Sequence, residues 1–329
     1  MQPLVSITLA TYNIESFIQL SLECILKQTL QNIEVICFDD ASTDNTAYIL
    51  KEIAKTDSRL KVIFKSKNEG LAVARNEALE LARGKYICFV DGDDLMDKNL
   101  FEKAYALAEQ TNCNMVLWDY LTFWDEYQIK SKKLELSSLV SISDKDKVAL
   151  LERPAFTWIK LIKTETIRNL RIQFPNGLTK QDIPVHWELI TKIDSIAILP
   201  ERLSYYRQQP NATSYKTDVR LFDIAIIMDI VKRNLIENQY YEVYKNVFLK
   251  QQLSLLSVMY DFIDKPFKCD AITIIKKRIG EDQLNYIYSK NPLLLQSRLF
   301  HKALQGSVIH KMYFKIWLIF RGFYRKILN

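Results

Sequence analysis

The chain has little cysteine, histidine, glycine or proline. Its 5 Cys (Cys24, Cys37, Cys88, Cys113 and Cys269) are odd in number and contain no CxxC. That pattern argues against a disulfide scaffold or a structural zinc site and favours a reducing compartment. The 3 His (His186, His301 and His310) are too few and too scattered for a His-rich metal centre, so any metal falls to carboxylates. With 7 Gly and 8 Pro, collagen-like and Gly-rich low-complexity chains are excluded. No uninterrupted apolar run approaches the roughly 20 residues that span a bilayer. Residues 1–10 lack a basic region and their apolar run is strand-length, so no signal peptide is expected and a cytosolic protein is. What remains is ordinary globular material: 329 residues, 48% hydrophobic and 26% charged, long enough for two or three domains. The formal charge of +6 leaves nucleic acid, anionic lipid and phosphorylated ligands open as partners.

The first half alternates two periodicities. Apolar runs at 5–10, 33–38, 60–64, 86–90 and 115–118 read as strands. Helical patterns at 16–27, 43–54, 68–83 and 99–110 separate them, with Asn68 as a cap and Gly84 at a C-cap needing positive φ. Strands this continuously apolar are buried on both faces, which implies a doubly wound α/β layer with a parallel sheet. From about residue 137 the rhythm changes to short strands and loops, and from about 218 the pattern is helical. A boundary is expected near residue 217.

Ligands of open α/β sheets bind beyond the carboxyl ends of the strands. The first strand is followed by Thr11-Tyr-Asn13 and Glu15, the second by Asp39-Asp-Ala-Ser-Thr-Asp44, the fourth by Asp91-Gly-Asp-Asp94. Several carboxylates at one crevice raise one another's pKa and destabilise the fold unless a cation compensates them. Oxygen-only ligands suit Mg²⁺ or Mn²⁺ completed by water and substrate phosphate. Taken singly, each cluster has a plainer reading. Asp39-Asp40 can belong to a turn in which Ser42 caps the next helix and Asp44 enters its first turn, and Asp91–Asp94 can be a solvated turn. Asn68-Glu-Gly70 opens a helix whose free N-terminus suits an anion, with Arg75 in its second turn either reaching a ligand or lying exposed. Neither GxGxxG nor GxxxxGK[ST] is present.

In order and spacing, Val5-Ser-Ile…Thr11-Tyr-Asn, Asp39–Asp44, Asn68-Glu-Gly-Leu…Ala74-Arg-Asn76 and Phe89-Val-Asp-Gly-Asp-Asp94 resemble family 2 glycosyltransferases of the GT-A fold. A weaker resemblance runs to about residue 215, through Phe174-Pro…Gln181-Asp182 and Pro200-Glu-Arg-Leu-Ser-Tyr-Tyr-Arg207. Ala10 and Ala41 depart harmlessly from the common Pro and Gly. Gln181 replaces the usual Glu and leaves Asp182 as the sole carboxylate there.

The resemblance implies a GT-A domain over 1–217, with a donor half (1–118) and an acceptor half (119–217), followed by a helical region to 329. It implies that Thr11, Tyr12, Glu15, Asp39, Asp40, Asn68, Gly70 and Arg75 line a nucleotide-diphosphate-sugar site. Asp91 and Asp93 would form the DxD metal pair for Mn²⁺ or Mg²⁺, Asp94 would orient the sugar, and Asp182 would be the base of an inverting transfer. By its position, Asp182 could equally cap the helix that follows. Trp158, Trp187, His186 and Arg207 are secondary candidates for acceptor or phosphate. The aromatics, the histidine and the arginine can as readily be core, a satisfied structural imidazole and an ion pair. A sugar nucleotidyltransferase would carry a Gly-rich basic N-terminal loop, which 11–17 lacks. A non-catalytic nucleotide-sugar binder would have no need of Asp182.

The charge is not spread evenly. Residues 283–329 contain no acid and 8 basic residues, leaving 37 basic against 39 acidic elsewhere. On a helix over 311–328, Lys311, Lys315, Arg321, Arg325 and Lys326 share one face and Trp317, Phe320 and Phe323 the other. This reads as a helix lying on the anionic inner face of the cytoplasmic membrane, or one packed on its own domain or on a second copy in a homodimer. Nucleic acid loses its support.

Overall fold

The computed structural model describes residues 2–124, 129–130, 144–209, 216–283 and 286. They belong to two compact units, Met1–Ala212 and Thr213–Asn329.

In the first unit the apolar runs form β1 (Val5–Thr11), β2 (Ile33–Asp39), β3 (Leu60–Phe64) and β4 (Tyr86–Asp91). Helices α1 (Ile18–Leu26), α2 (Thr46–Thr56) and α3 (Leu71–Leu81) lie between them in sequence. Next come β5 (Leu95–Met96), α4 (Leu100–Thr111), β6 (Met115–Phe123) and β7 (Ile129–Lys130). The unit continues with α5 (Asp144–Leu151), β8 (Lys160–Lys163), α6 (Thr164–Asn169), α7 (Asp182–Lys192) and β9 (Ile196–Arg207). The sheet runs β3-β2-β1-β4-β8-β6-β9-β5, with β7 beside β6. Val5, Ile7, Val35, Cys88 and Trp118 face a core shared with Leu22 of α1 and Phe101 of α4.

Most paired residues of the sheet run parallel, as expected, but the sheet is mixed. β8 is antiparallel to both β4 and β6, and β5 is antiparallel to β9. The fifth expected strand extends past Trp118 to Phe123, because β9 pairs along its whole length around a bulge at Asp119.

Two local expectations change. Gly84 is not a positive-φ cap; among the described glycines only Gly70 and Gly177 have positive φ. Gly84 is required by close approach, since a Cβ there would lie 2.4 Å from the Ser6 amide nitrogen. Asn68 does not cap α3 either. The cap residue is Gly70 at φ 90°, a conformation that L side chains rarely adopt.

The second unit carries the helical pattern expected beyond 218 as α8 (Asp223–Glu237), α9 (Tyr241–Phe262) and α10 (Lys268–Lys276). Ile224, Leu256, Met259 and Ile275 close its core. The basic segment 311–328 lies outside the described residues. Among the described residues, no helix is long and apolar enough to cross a membrane.

Candidate active site

Register brings the polar strand ends to one level. Thr11 pairs with Asp39 across β1 and β2, and Ala10 pairs with Asp91 across β1 and β4. The chain therefore leaves three adjacent parallel strands at the same edge, each with its polar cluster.

Asp39 and Asp40 do different work there. Thr11 Oγ1 donates to the Phe38 carbonyl (3.2 Å) and lies 3.4 Å from Asp39 Oδ1, while Ser42 N–H donates to Asp39 Oδ2 at 3.3 Å. Asp40 is buried and turns to α3, where its two oxygens accept the Glu69 N–H (2.9 Å) and the Gly70 N–H (2.8 Å). Asp40, just past the end of β2, thus takes the two amides that lead into α3, ahead of its first helical residue Leu71; Asn68 is exposed beside them. Ser42 does not cap α2, for its hydroxyl accepts the Asn13 N–H. That helix start is held instead by Asp44, which accepts the Thr46 N–H at 2.9 Å, and by Glu15, whose carboxylate accepts the Asn45 N–H at 2.8 Å. Tyr12 stands 47% exposed at the rim.

The Asp91–Asp94 turn is gripped by the end of β9. Arg207 N–H donates to Asp94 Oδ1 (2.8 Å), Arg207 Nε to the Asp93 carbonyl (2.9 Å), and Gln209 Nε2 to Asp93 Oδ2 (2.7 Å). The Arg207 guanidinium lies over the Phe17 and Phe123 rings, 5.0 and 4.6 Å from their centroids. All three carboxyls are pushed up. Burial and then Asp91 raise Asp93 to about 6; burial, then Asp93 and Asp91, carry Asp94 well above the carboxylate range. Burial also raises Asp91, against the pull of Arg75. Among the described residues, Asp94 Oδ2 is buried without a hydrogen-bond partner. Clustered carboxyls with an orphaned oxygen are short of positive charge, and their hard oxygen donors fit a divalent cation. Among the described residues no three Asp, Glu, His or Cys side chains converge to enclose an ion by themselves.

Asp182 is the first residue of α7, whose cap position is Gln181 and carries no side-chain cap bond. Its Oδ1 accepts Arg75 Nη1 at 2.6 Å, and its Oδ2 lies 3.4 Å from the Thr157 amide. Arg75 Nη2 donates to Asp91 Oδ1 at 2.7 Å. One guanidinium therefore joins the expected base to the first carboxylate of the DxD turn.

The secondary candidates sort differently. His186 and Trp187 are core residues. His186 Nε2 meets the Leu150 carbonyl at 3.1 Å, and burial, reinforced by Lys160, pushes the imidazole well below its ordinary pKa. Both lie in the part of α7 that is buried from Pro184 to Trp187. Trp158 is 3% exposed and stacks on Phe156 at 4.8 Å and 14°, with Tyr120 and Tyr206 around it, so it offers no open face.

Four residues near the site were missed from the sequence: Thr157, Gln209, Phe156 and Lys160. Lys160 is fully buried, donates to the Phe156 and Ala155 carbonyls, and is drawn down to about 7 by burial against the pull of Asp182. A lone Lys inside the apolar run Trp158–Ile162 was the available signal.

A parallel half that presents an Asp-Gly-Asp-Asp turn, joined to a mixed half that presents an Asp at a helix start, defines the GT-A class of glycosyltransferases. The model of glycosyl transferase family 2 matches residues 6–171, half of the chain, and the chain belongs to that family. The uncharacterized glycosyltransferase EpsJ of Bacillus subtilis (strain 168) is 32% identical over 218 residues, which is 64% of this chain and 63% of EpsJ, under two thirds of that relative's length. The Escherichia coli UDP-Glc:alpha-D-GlcNAc-diphosphoundecaprenol beta-1,3-glucosyltransferase WfgD is 38% identical over 117 residues, 36% of this chain and 46% of WfgD. Among solved structures, S. aureus TarS 1-349 superposes with a TM-score of 0.69 at 19% identity over 94% of this chain and 89% of that one. Its complex with UDP-GlcNAc gives a TM-score of 0.60 at 18% identity over 87% and 89%. TarS carries the comparison of fold alone. EpsJ is named a glycosyltransferase and WfgD a glucosyltransferase.

Proposed function

We propose that the protein transfers a sugar, with inversion, from a nucleotide-diphosphate sugar (a UDP-hexose first) to a glycan or lipid-linked oligosaccharide in bacterial cell-surface polysaccharide synthesis. The observation that carries this reading is the Arg75 bridge, which holds Asp182 and the Asp91–Asp94 turn on one cleft. Residues 1–217 would carry the chemistry, with the donor held by 1–118 and the acceptor by 119–217. The relatives' names support the class of donor and acceptor.

In this reading Thr11, Tyr12 and Asp39 border the nucleotide. Glu15 and Asp40 shape that border through the starts of α2 and α3. Asp93 and Asp91, with Asp94 behind them, would hold Mn²⁺ or Mg²⁺. Such an ion, when bound, neutralises charge developing on the leaving diphosphate. Asp182 accepts the proton of the acceptor hydroxyl as that oxygen attacks the anomeric carbon, and a single displacement inverts the centre. The basic residues of the sequence 311–328 support docking on an anionic membrane, where a lipid-linked acceptor would sit.

The test is UDP release from a panel of UDP-sugars with Mn²⁺ and glycan acceptors. Asp182→Asn should lower transfer by about 10²–10⁴-fold while UDP still binds. Transfer unaffected by that change refutes the assignment of the base, and UDP binding with no turnover on any acceptor refutes the transferase reading.

A further inference from the structure

The resemblance puts Arg75 on the lining of the donor site, but its surroundings leave it little freedom to touch the donor. The side chain is 4% exposed. Its two terminal nitrogens are committed to Asp182 and Asp91, at 2.6 and 2.7 Å. One face of the guanidinium lies over the Phe174 ring, 5.3 Å from its centroid, and that ring is fixed edge-on against Phe89 of β4.

The neighbouring residue acts on the same stretch of chain. Asn76 Oδ1 accepts the Phe174 N–H and Asn76 Nδ2 donates to the Phe174 carbonyl, both at 2.9 Å. The chain between Phe174 and Asp182 contains no regular element, and it turns through left-handed conformations at Gly177 and Lys180. A segment of that kind has no ladder of its own to fix its path. Asn76 holds its beginning and Arg75 its end, from consecutive positions on α3.

We propose that Arg75 is a positioning residue. It sets the Asp182 carboxylate relative to the Asp91 turn, and it is not a contact to the donor. This rests on the reading of Asp182 as the base. Without the guanidinium, two carboxylates that now share one cation would face each other uncompensated, and the end of the 174–182 segment would lose its anchor. Turnover should suffer and donor affinity should not.

The experiment uses the full chain with Arg75→Met and Arg75→Lys. The readouts are UDP affinity in the presence of Mn²⁺ by calorimetry, kcat and donor KM for UDP release, and the melting temperature. Displacing a reacting group by about 1 Å costs about 100-fold, so kcat of Arg75→Met should fall by about that factor. UDP should bind no more weakly than to wild type, and Arg75→Lys, which restores one ion pair, should recover part of kcat at unchanged donor KM. If Arg75 were a donor contact, losing its charge-assisted bonds would weaken UDP binding about tenfold or more, and that result overturns the proposal. Should Arg75→Met not fold, Arg75→Lys carries the same split: kcat lost with UDP affinity kept supports the role, and UDP affinity lost with kcat kept refutes it. Should wild type itself transfer nothing, the functional reading fails while the UDP titration still decides whether Arg75 touches the nucleotide.

Discussion

Replacing Asp40 by Ala separates a structural carboxylate from a ligand-binding one. Asp40 sits at the donor edge, but both oxygens already accept the amides of the turn that leads into α3, Glu69 at 2.9 Å and the cap residue Gly70 at 2.8 Å. The side chain is buried, so water does not replace those bonds in the variant. Losing one helix-capping acceptor costs about 1–2 kcal/mol, and here two amides lose a charged partner, so about 2–4 kcal/mol is expected. For a domain of this size each kcal/mol moves the melting temperature by about 2–4 °C, giving a fall of about 5–15 °C. Asp40→Asn keeps one acceptor oxygen and should fall between. Thermal unfolding followed by circular dichroism reads the effect, and a UDP titration with Mn²⁺, well below the melting temperature, reads the site. The expected result is a large loss of stability with UDP affinity nearly retained. A variant that melts like wild type but binds UDP tenfold more weakly would show Asp40 to be a donor ligand and the capping account to be wrong.

Three further outcomes follow from particular contacts. Asp93 is raised from 3.8 to about 6, so the native state binds its proton more tightly than the unfolded chain. The stability this lends is complete below pH 3.8 and is lost as pH rises through about 6. Metal-free protein should lose melting temperature across that window, added Mn²⁺ should restore most above it, and Asp93→Asn should flatten the profile; an unchanged slope in that variant refutes the account. Gly84→Ala drives a Cβ to within 2.4 Å of the Ser6 amide nitrogen, and since the obstacle is backbone, about 1–3 kcal/mol of stability should be lost in denaturant titration. Asp182→Asn should leave the melting temperature within a few degrees of wild type while removing transfer, because the amide still offers an oxygen to Arg75.

The β1–β4 half was legible in the sequence because each strand there is a continuous apolar run followed by a helix pattern. β8 and β5 were not. Lys160–Lys163 is four residues long and begins with a buried lysine, and Leu95–Met96 is two residues, defined only by pairing with Ser204 and Tyr205. The polar strand ends were legible as clusters, but not what each carboxylate touches. Asp40 and Glu15 look like ligands in sequence because their partners are backbone amides, which leave no mark in a string of side chains. Arg75 was placed on a helix correctly, yet its inward turn depends on Phe174 and Asp182, which lie far along the chain. His186 and Trp187 follow the base closely and so look like site residues in sequence; α7 is buried around most of its girth, and they belong to that packing.

The order of strands also bears on synthesis. β1, β2, β3 and β4 pair with one another within the first 91 residues, and only the outer edge of β4 waits for β8, so the donor edge can assemble while the ribosome is still producing the rest. Leu95–Met96 must wait for Ser204 and Tyr205, and one edge of β6, from Met115 to Phe123, must wait for the same late strand. Until β9 arrives, that side of β6 is an open edge able to recruit another chain. A nascent or truncated chain ending near residue 195 would thus carry a finished half with a sticky margin. Soluble expression should depend less on the helices after 216 than on whether β9 is included.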